Sequence, residues 1–97
     1  MLLNQRDVSS KKIASIAISA IGPCMLPIDQ DTKPLYSGVL YGVDTRASEE
    51  INYLNDLIGK ATIFDFSGNV LTSQSIGPKI LWVKNQHPVI FEKTHKI

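Results

Sequence analysis

The sequence predicts a small α+β domain, a mainly antiparallel sheet of four to five strands with two helices packed on one side. Three observations predict it. The stretch Ser48–Ile58 carries apolar residues at helical spacing behind a capping segment. The second half of the chain holds several short runs rich in Ile, Val, Phe and Trp, separated by Gly, Pro, Asn and Ser. Short connections between such runs imply antiparallel pairing.

Ninety-seven residues with 43% apolar and 20% charged content make one ordinary globular domain, 1–97, with residues 1–8 and 93–97 expected to fray. A formal charge of +1 provides no long-range field, and nucleic-acid binders usually show a basic excess. The single cysteine, Cys24, excludes an internal disulfide. A structural zinc site needs four ligands, and this composition does not suggest one. Lys11-Lys12, the apolar run Ile13–Ile21 and Cys24 are faintly similar to a lipoprotein signal. The run is interrupted by Ser15 and Ser19, and Pro23 stands where a small residue belongs. No run approaches the ~18 apolar residues of a membrane span. The expected location is cytoplasmic.

In chain order, residues 9–21 fit a helix, with Ser9 or Ser10 as cap and Gly22-Pro23 as stop. The β-branched isoleucines keep a strand open as the alternative. Residues 22–34 hold Pro23, Pro27 and Pro34 and make an irregular connector, with Met25 and Leu26 packing inward. Leu35 to Val43 alternates as a strand, with Leu35, Val39, Tyr41 and Val43 on one face and Tyr36, Gly38, Leu40 and Gly42 on the other. Asp44, Thr45 or Ser48 then caps the second helix. Glu49 and Glu50 lie in its first turn, and Gly59 takes a left-handed conformation to end it. Ile51, Leu54 and Ile58 are expected to be buried together with Ile63 or Phe64. Ala61–Phe66 and Val70–Thr72 read as strands around the turn Ser67-Gly68-Asn69. Ile80–Lys84 and Val89–Glu92 read as a closing hairpin around Asn85–Pro88.

Ala61-Thr-Ile-Phe-Asp-Phe-Ser-Gly-Asn-Val-Leu71 resembles the first motif of the haloacid dehalogenase superfamily, an apolar strand followed by Asp-x-Asp-Gly-Thr. The resemblance implies Asp65 as a nucleophile beside magnesium. Ser67 stands where the second acid belongs, and a hydroxyl cannot shuttle a proton as a carboxyl does. Asn69 replaces the threonine. Fewer than thirty residues follow, short of the rest of such a fold, so Asp65 is expected to be structural.

His87 and His95 are the only histidines, and neither has a second ligand at metal spacing. Cys24 reads as a small buried hydrophobe. There is no glycine-rich phosphate loop. The sequence therefore predicts no enzyme, no cofactor and no metal. The expected function is contact with another protein or with a second copy, as in the small accessory proteins of phages and mobile elements. The contact residues expected are Trp82, Tyr36, Lys84, His87 and Lys93, because tryptophan concentrates binding energy and the last hairpin leaves an edge. The alternative is a small ligand- or single-strand nucleic-acid-binding domain, in which Trp82, Phe91, Lys79, Lys84 and Lys93 would form a basic aromatic surface. The degenerate dehalogenase-like enzyme comes third.

Overall fold

A computed structural model describes residues 9–39 and 41–97. The expected fraying of residues 1–8 and the position of Leu40 lie outside the described residues. Four helices follow a 3₁₀ turn at Ser10–Lys12: α1 at Ser48–Ile58, α2 at Lys60–Ser67, α3 at Ile76–Gln86 and α4 at Pro88–Lys93. Among the described residues there is no strand, only three isolated antiparallel bridges. The antiparallel sheet predicted from the sequence is therefore absent, and three of its expected strands are helices.

The segment before α1 is held by local bonds rather than by regular structure. Residues 13–21 form neither the helix nor the strand expected, and Ile16 and Ile18 are 83% and 91% exposed. Cys24 is exposed as well, against the expectation of burial. Met25 and Val39 then exchange a bridge pair, with N···O distances of 2.9 and 2.8 Å. Asp29 accepts the Asp31 and Lys33 amides on Oδ1, both at 2.9 Å, and so closes the turn between them. The chain end joins this loop. Ile28 donates to the Lys96 carbonyl at 2.9 Å, and His95 donates to the Ile28 carbonyl at 2.8 Å, so part of the tail expected to fray is tied down. The predicted strand at 35–43 is thus an irregular return limb with bridges at Pro34 and Val39.

α1 forms where its apolar spacing placed it. Glu49 and Glu50 occupy its first turn. None of the three expected caps acts by side chain. Ala47 holds the N-cap position, and the Ser48 hydroxyl donates back to the Thr45 carbonyl at 2.5 Å. Gly59, at φ +89°, ends α1, but α2 begins at the next residue. A positive φ at one glycine reverses the chain without a loop. The β-branched and aromatic run 61–66 is therefore helical, because β propensity yields to what a segment can pack against. Ile63 is buried, and the Ser67 hydroxyl donates to the Ile63 carbonyl at 2.8 Å. Gly68, in the left-handed region at φ +72°, closes α2. The turn at Ser67–Asn69 is real, but it ends a helix rather than joining two strands. Of the cluster expected around α1, Ile63 is buried, Ile51 and Leu54 are half-buried, and Ile58 and Phe64 face solvent.

Gly59→Ala is expected to destabilise the protein by about 1–3 kcal/mol, the cost of a non-glycine residue in a sparsely populated backbone region. A Cβ there would meet only Thr62 Oγ1 at 3.8 Å, an ordinary contact, so backbone strain rather than a clash sets the loss. A shift in the urea midpoint measures it. An unchanged midpoint would mean that the α1–α2 junction relaxes freely.

The predicted hairpin at 79–93 is the α3–α4 pair. Pro78 lies in the first turn of α3 and Pro88 opens α4, both places where a missing amide costs nothing. His87 is the hinge between them. It donates its amide to the Val83 carbonyl at 2.8 Å and accepts the Phe91 amide at 3.0 Å. Buried Met25, Val39 and Val83 form the core, with Ile76, Ile80, Trp82, Ile90 and Phe91 packed against it. That core is thin. The radius of gyration is 17.8 Å, against about 13 Å for a compact chain of 100 residues. No helix among the described residues is long and apolar enough to cross a membrane.

Candidate functional site

Two features meet on the capping turn that leads into α1. The first is a ring cluster. The bridged loop presents Tyr36, α3 presents Trp82, and the hinge presents His87. Tyr36 and His87 lie 4.6 Å apart between ring centroids, Trp82 and His87 5.2 Å in an edge-on arrangement, and Tyr36 and Trp82 6.2 Å. The Arg46 guanidinium sits 5.0 Å over the Trp82 ring, a favourable placement for a cation on an aromatic face. Arg46 Nε also donates to Asp44 Oδ1 at 2.7 Å. Its hydrogen bond to the Asp44 carboxylate raises the pKa of Arg46 above its ordinary value, with Tyr36 adding to the effect. Arg46 therefore stays charged throughout the pH range in which proteins fold. The cluster clasps the loop, the capping turn and the α3–α4 hinge together.

The second feature is a closed seam on the other side of the same turn, with no room for a water molecule between its walls. Its walls are Asp44, Thr45, Ala47, Ser48 and Ile51 from the turn and α1, and Thr72, Ser73, Ser75 and Lys79 from the approach to α3. The walls are set by bonds that cross sequence. Ser73 Oγ donates to the Gly42 carbonyl at 2.8 Å, and Ser75 Oγ accepts the Thr72 amide at 3.0 Å. Lys79 is 1% exposed and donates from Nζ to the Pro23 carbonyl at 3.0 Å. Nearby, Glu50 is buried between α1 and α3. Its Oε1 accepts Asn85 Nδ2 at 3.2 Å, while Oε2 has no hydrogen-bond partner among the described residues. These contacts pack the capping turn against the approach to α3, and almost no polar surface faces the space between them. Among the described residues no three His, Cys, Asp or Glu side chains gather as a metal-binding set.

Of the five contact residues expected from sequence, Tyr36, Trp82 and His87 come together. Lys84 and Lys93 do not join them. Lys84 is exposed on α3 with its ammonium 5.8 Å over the Phe91 ring, and Lys93 ends α4 beside Asp29 and Asp31. Trp82 is half-buried, with one side on the core and the other under Arg46. In the sequence Asp44 is legible only as a cap and Lys79 only as a surface cation. The signal available for it was its position: Ile76, Lys79, Ile80 and Val83 recur at helical spacing, which places Lys79 on the inward face. Asp65, the residue of the dehalogenase-like motif, is exposed on α2 rather than at the end of a strand, so the geometry of that motif is absent.

A family model described as the FGGY family of carbohydrate kinases, N-terminal domain, matches residues 1–97. The chain belongs to the FGGY family of carbohydrate kinases. It is 25% identical over 87 residues to the xylulose kinase of Lactococcus lactis subsp. lactis (strain IL1403), covering 90% of this chain and 17% of that protein. It is 29% identical over 93 residues to the xylulose kinase of Bacillus subtilis (strain 168), covering 96% of this chain and 18% of that protein. The chain thus spans less than a fifth of the length of these curated relatives.

This membership overturns the expectation of a non-enzymatic contact protein of the phage-accessory kind, and with it the prediction of no enzyme. The physical reason is that paired acids, Cys/His pairs and glycine-rich phosphate loops reveal an enzyme only where they fall within the stretch at hand, and this chain spans less than a fifth of its relatives' length.

Proposed function

We propose that this chain is part of a kinase that transfers a phosphoryl group from a nucleoside triphosphate to a hydroxyl of a ketose of the xylulose class. The match of a carbohydrate kinase family to all of residues 1–97 carries this reading. The similarity to two xylulose kinases supports it. A donor of this kind is a cytoplasmic metabolite, and the proposed location is the cytoplasm.

The test is a phosphorylation assay on the purified full-length protein with ATP and a panel of ketoses and polyols, xylulose included. Nucleotide consumption that depends on one of these sugars supports the reading. No sugar-dependent turnover across the panel, with the protein shown to be folded, would overturn it.

A further inference from the structure

We propose that residues 13–21 form an interior strand of a sheet whose other strands come from the parts of the full-length chain outside residues 1–97; this rests on the kinase reading above. Ile13 to Ile21 contains only isoleucine, alanine and serine, and no charged residue stands between Lys12 and Asp29. Every residue from 11 to 22 is nevertheless exposed, with Ile16, Ile18 and Ile21 at 83%, 91% and 65%. Among the described residues, none from 13 to 22 makes a backbone hydrogen bond. One stretch thus carries two unmet demands. Its isoleucines are stabilised by leaving water, and its backbone groups by a ladder of partners.

Those two demands name the occupant. A helix laid on this stretch would cover the isoleucines and leave the backbone groups without a ladder, whereas a neighbouring strand answers both. A period of two places Ala14, Ile16, Ile18 and Ala20 on one face and Ile13, Ser15, Ala17, Ser19 and Ile21 on the other. Neither face carries a charge. That is the pattern of a strand covered on both sides, not of an edge strand guarded by lysines or glutamates. The described residues hold no strand able to pair with it. The chain spans 17% and 18% of the two xylulose kinases, so most of such a protein lies outside it and can supply the neighbours. A strand tethered in the same polypeptide acts at a high effective concentration, which favours it over a second copy. At the C-terminal end the Pro23 carbonyl is held by Lys79, and Met25 enters the core, so the helices fix where the strand leaves off.

The experiment uses the full-length protein. Hydrogen exchange over residues 13–21 is compared with that of a synthetic peptide of residues 11–22. The expected result is exchange slowed about 100-fold or more in the protein. Exchange at the rate of the peptide would overturn the proposal. Sizing at two concentrations accompanies the measurement. Slow exchange that persists in the monomer supports neighbours from the same chain, and slow exchange lost when a dimer is diluted overturns them in favour of a second copy. Ile18→Asp separates a strand from a helix. On a helix seated on Ile13, Ile16, Ala17 and Ile21, position 18 faces solvent and tolerates a charge. In an interior strand it is buried, and the melting temperature is expected to fall by about 5 °C or more. An unchanged melting temperature would overturn the strand. Should Ile18→Asp fail to fold, Ile18→Ser is read in the same way. Sugar-dependent turnover of the parent protein is measured in parallel. A protein that phosphorylates no sugar but exchanges slowly over 13–21 loses the kinase reading and keeps the strand. One that phosphorylates a ketose but exchanges freely there keeps the kinase reading and loses the strand.

Discussion

Replacing Met25 with alanine is expected to cost about 2–5 kcal/mol of stability, the range for emptying a buried methionine-sized site. Met25 is 1% exposed, and its side chain belongs to a core whose other buried members are Val39 and Val83. A core of this size has few neighbours able to move into the space. The backbone adds to the effect, since Met25 and Val39 exchange both of their hydrogen bonds across the loop. A loosened Met25 therefore disturbs the limb that presents Tyr36. Thermal and urea unfolding of the full-length protein measure the loss. A cost below about half a kcal/mol, as surface substitutions show, would place the core elsewhere.

Trp82→Ala is expected to cost about 3 kcal/mol, toward the lower end for a large aromatic residue because the side chain is only half-buried. Two kinds of contact are lost together. The inner side of the indole packs on the core, and the outer side carries Arg46 at 5.0 Å and meets His87 at 5.2 Å. Without the ring, the clasp between the capping turn and the α3–α4 hinge is left to Tyr36 and His87. Sizing of the same variant tests the older expectation of an interface. A nearly unchanged melting temperature with lost association would assign Trp82 to a contact surface, against the structural role expected here.

The aromatic partners were partly visible beforehand. Trp82 and Tyr36 stand out as large amphipathic side chains in a chain with few of them, and His87 lies in a Pro-containing break. Their meeting was not visible, because Tyr36 and Trp82 are far apart in sequence and the bridge between Met25 and Val39 brings the first limb round. The packing of the capping turn on the approach to α3 was less visible still. Ser73, Ser75, Thr45 and Ser48 look like ordinary loop and cap residues. Lys79 stands as a surface cation in the sequence; the helical period of α3 turns it inward with Val83.

By itself the sequence determined α1, because eleven residues with a consistent apolar face and a glycine stop admit one arrangement. It also determined the turns at Gly59 and at Ser67–Asn69, since few residues other than glycine and asparagine tolerate their backbone angles. Tertiary structure decided the rest. Residues 60–67, 76–86 and 88–93 are short apolar runs that satisfy a period of two about as well as one of 3.6. A strand conformation would leave their backbone groups in need of a neighbouring strand. A helix satisfies part of those groups within the run, takes further bonds from flanking Gly59, Gly68 and His87, and needs only one buried face. With the Met25–Val39 loop and α1 supplying that face for α3, and no sheet among the described residues to join, the helical solution is the one the chain adopts.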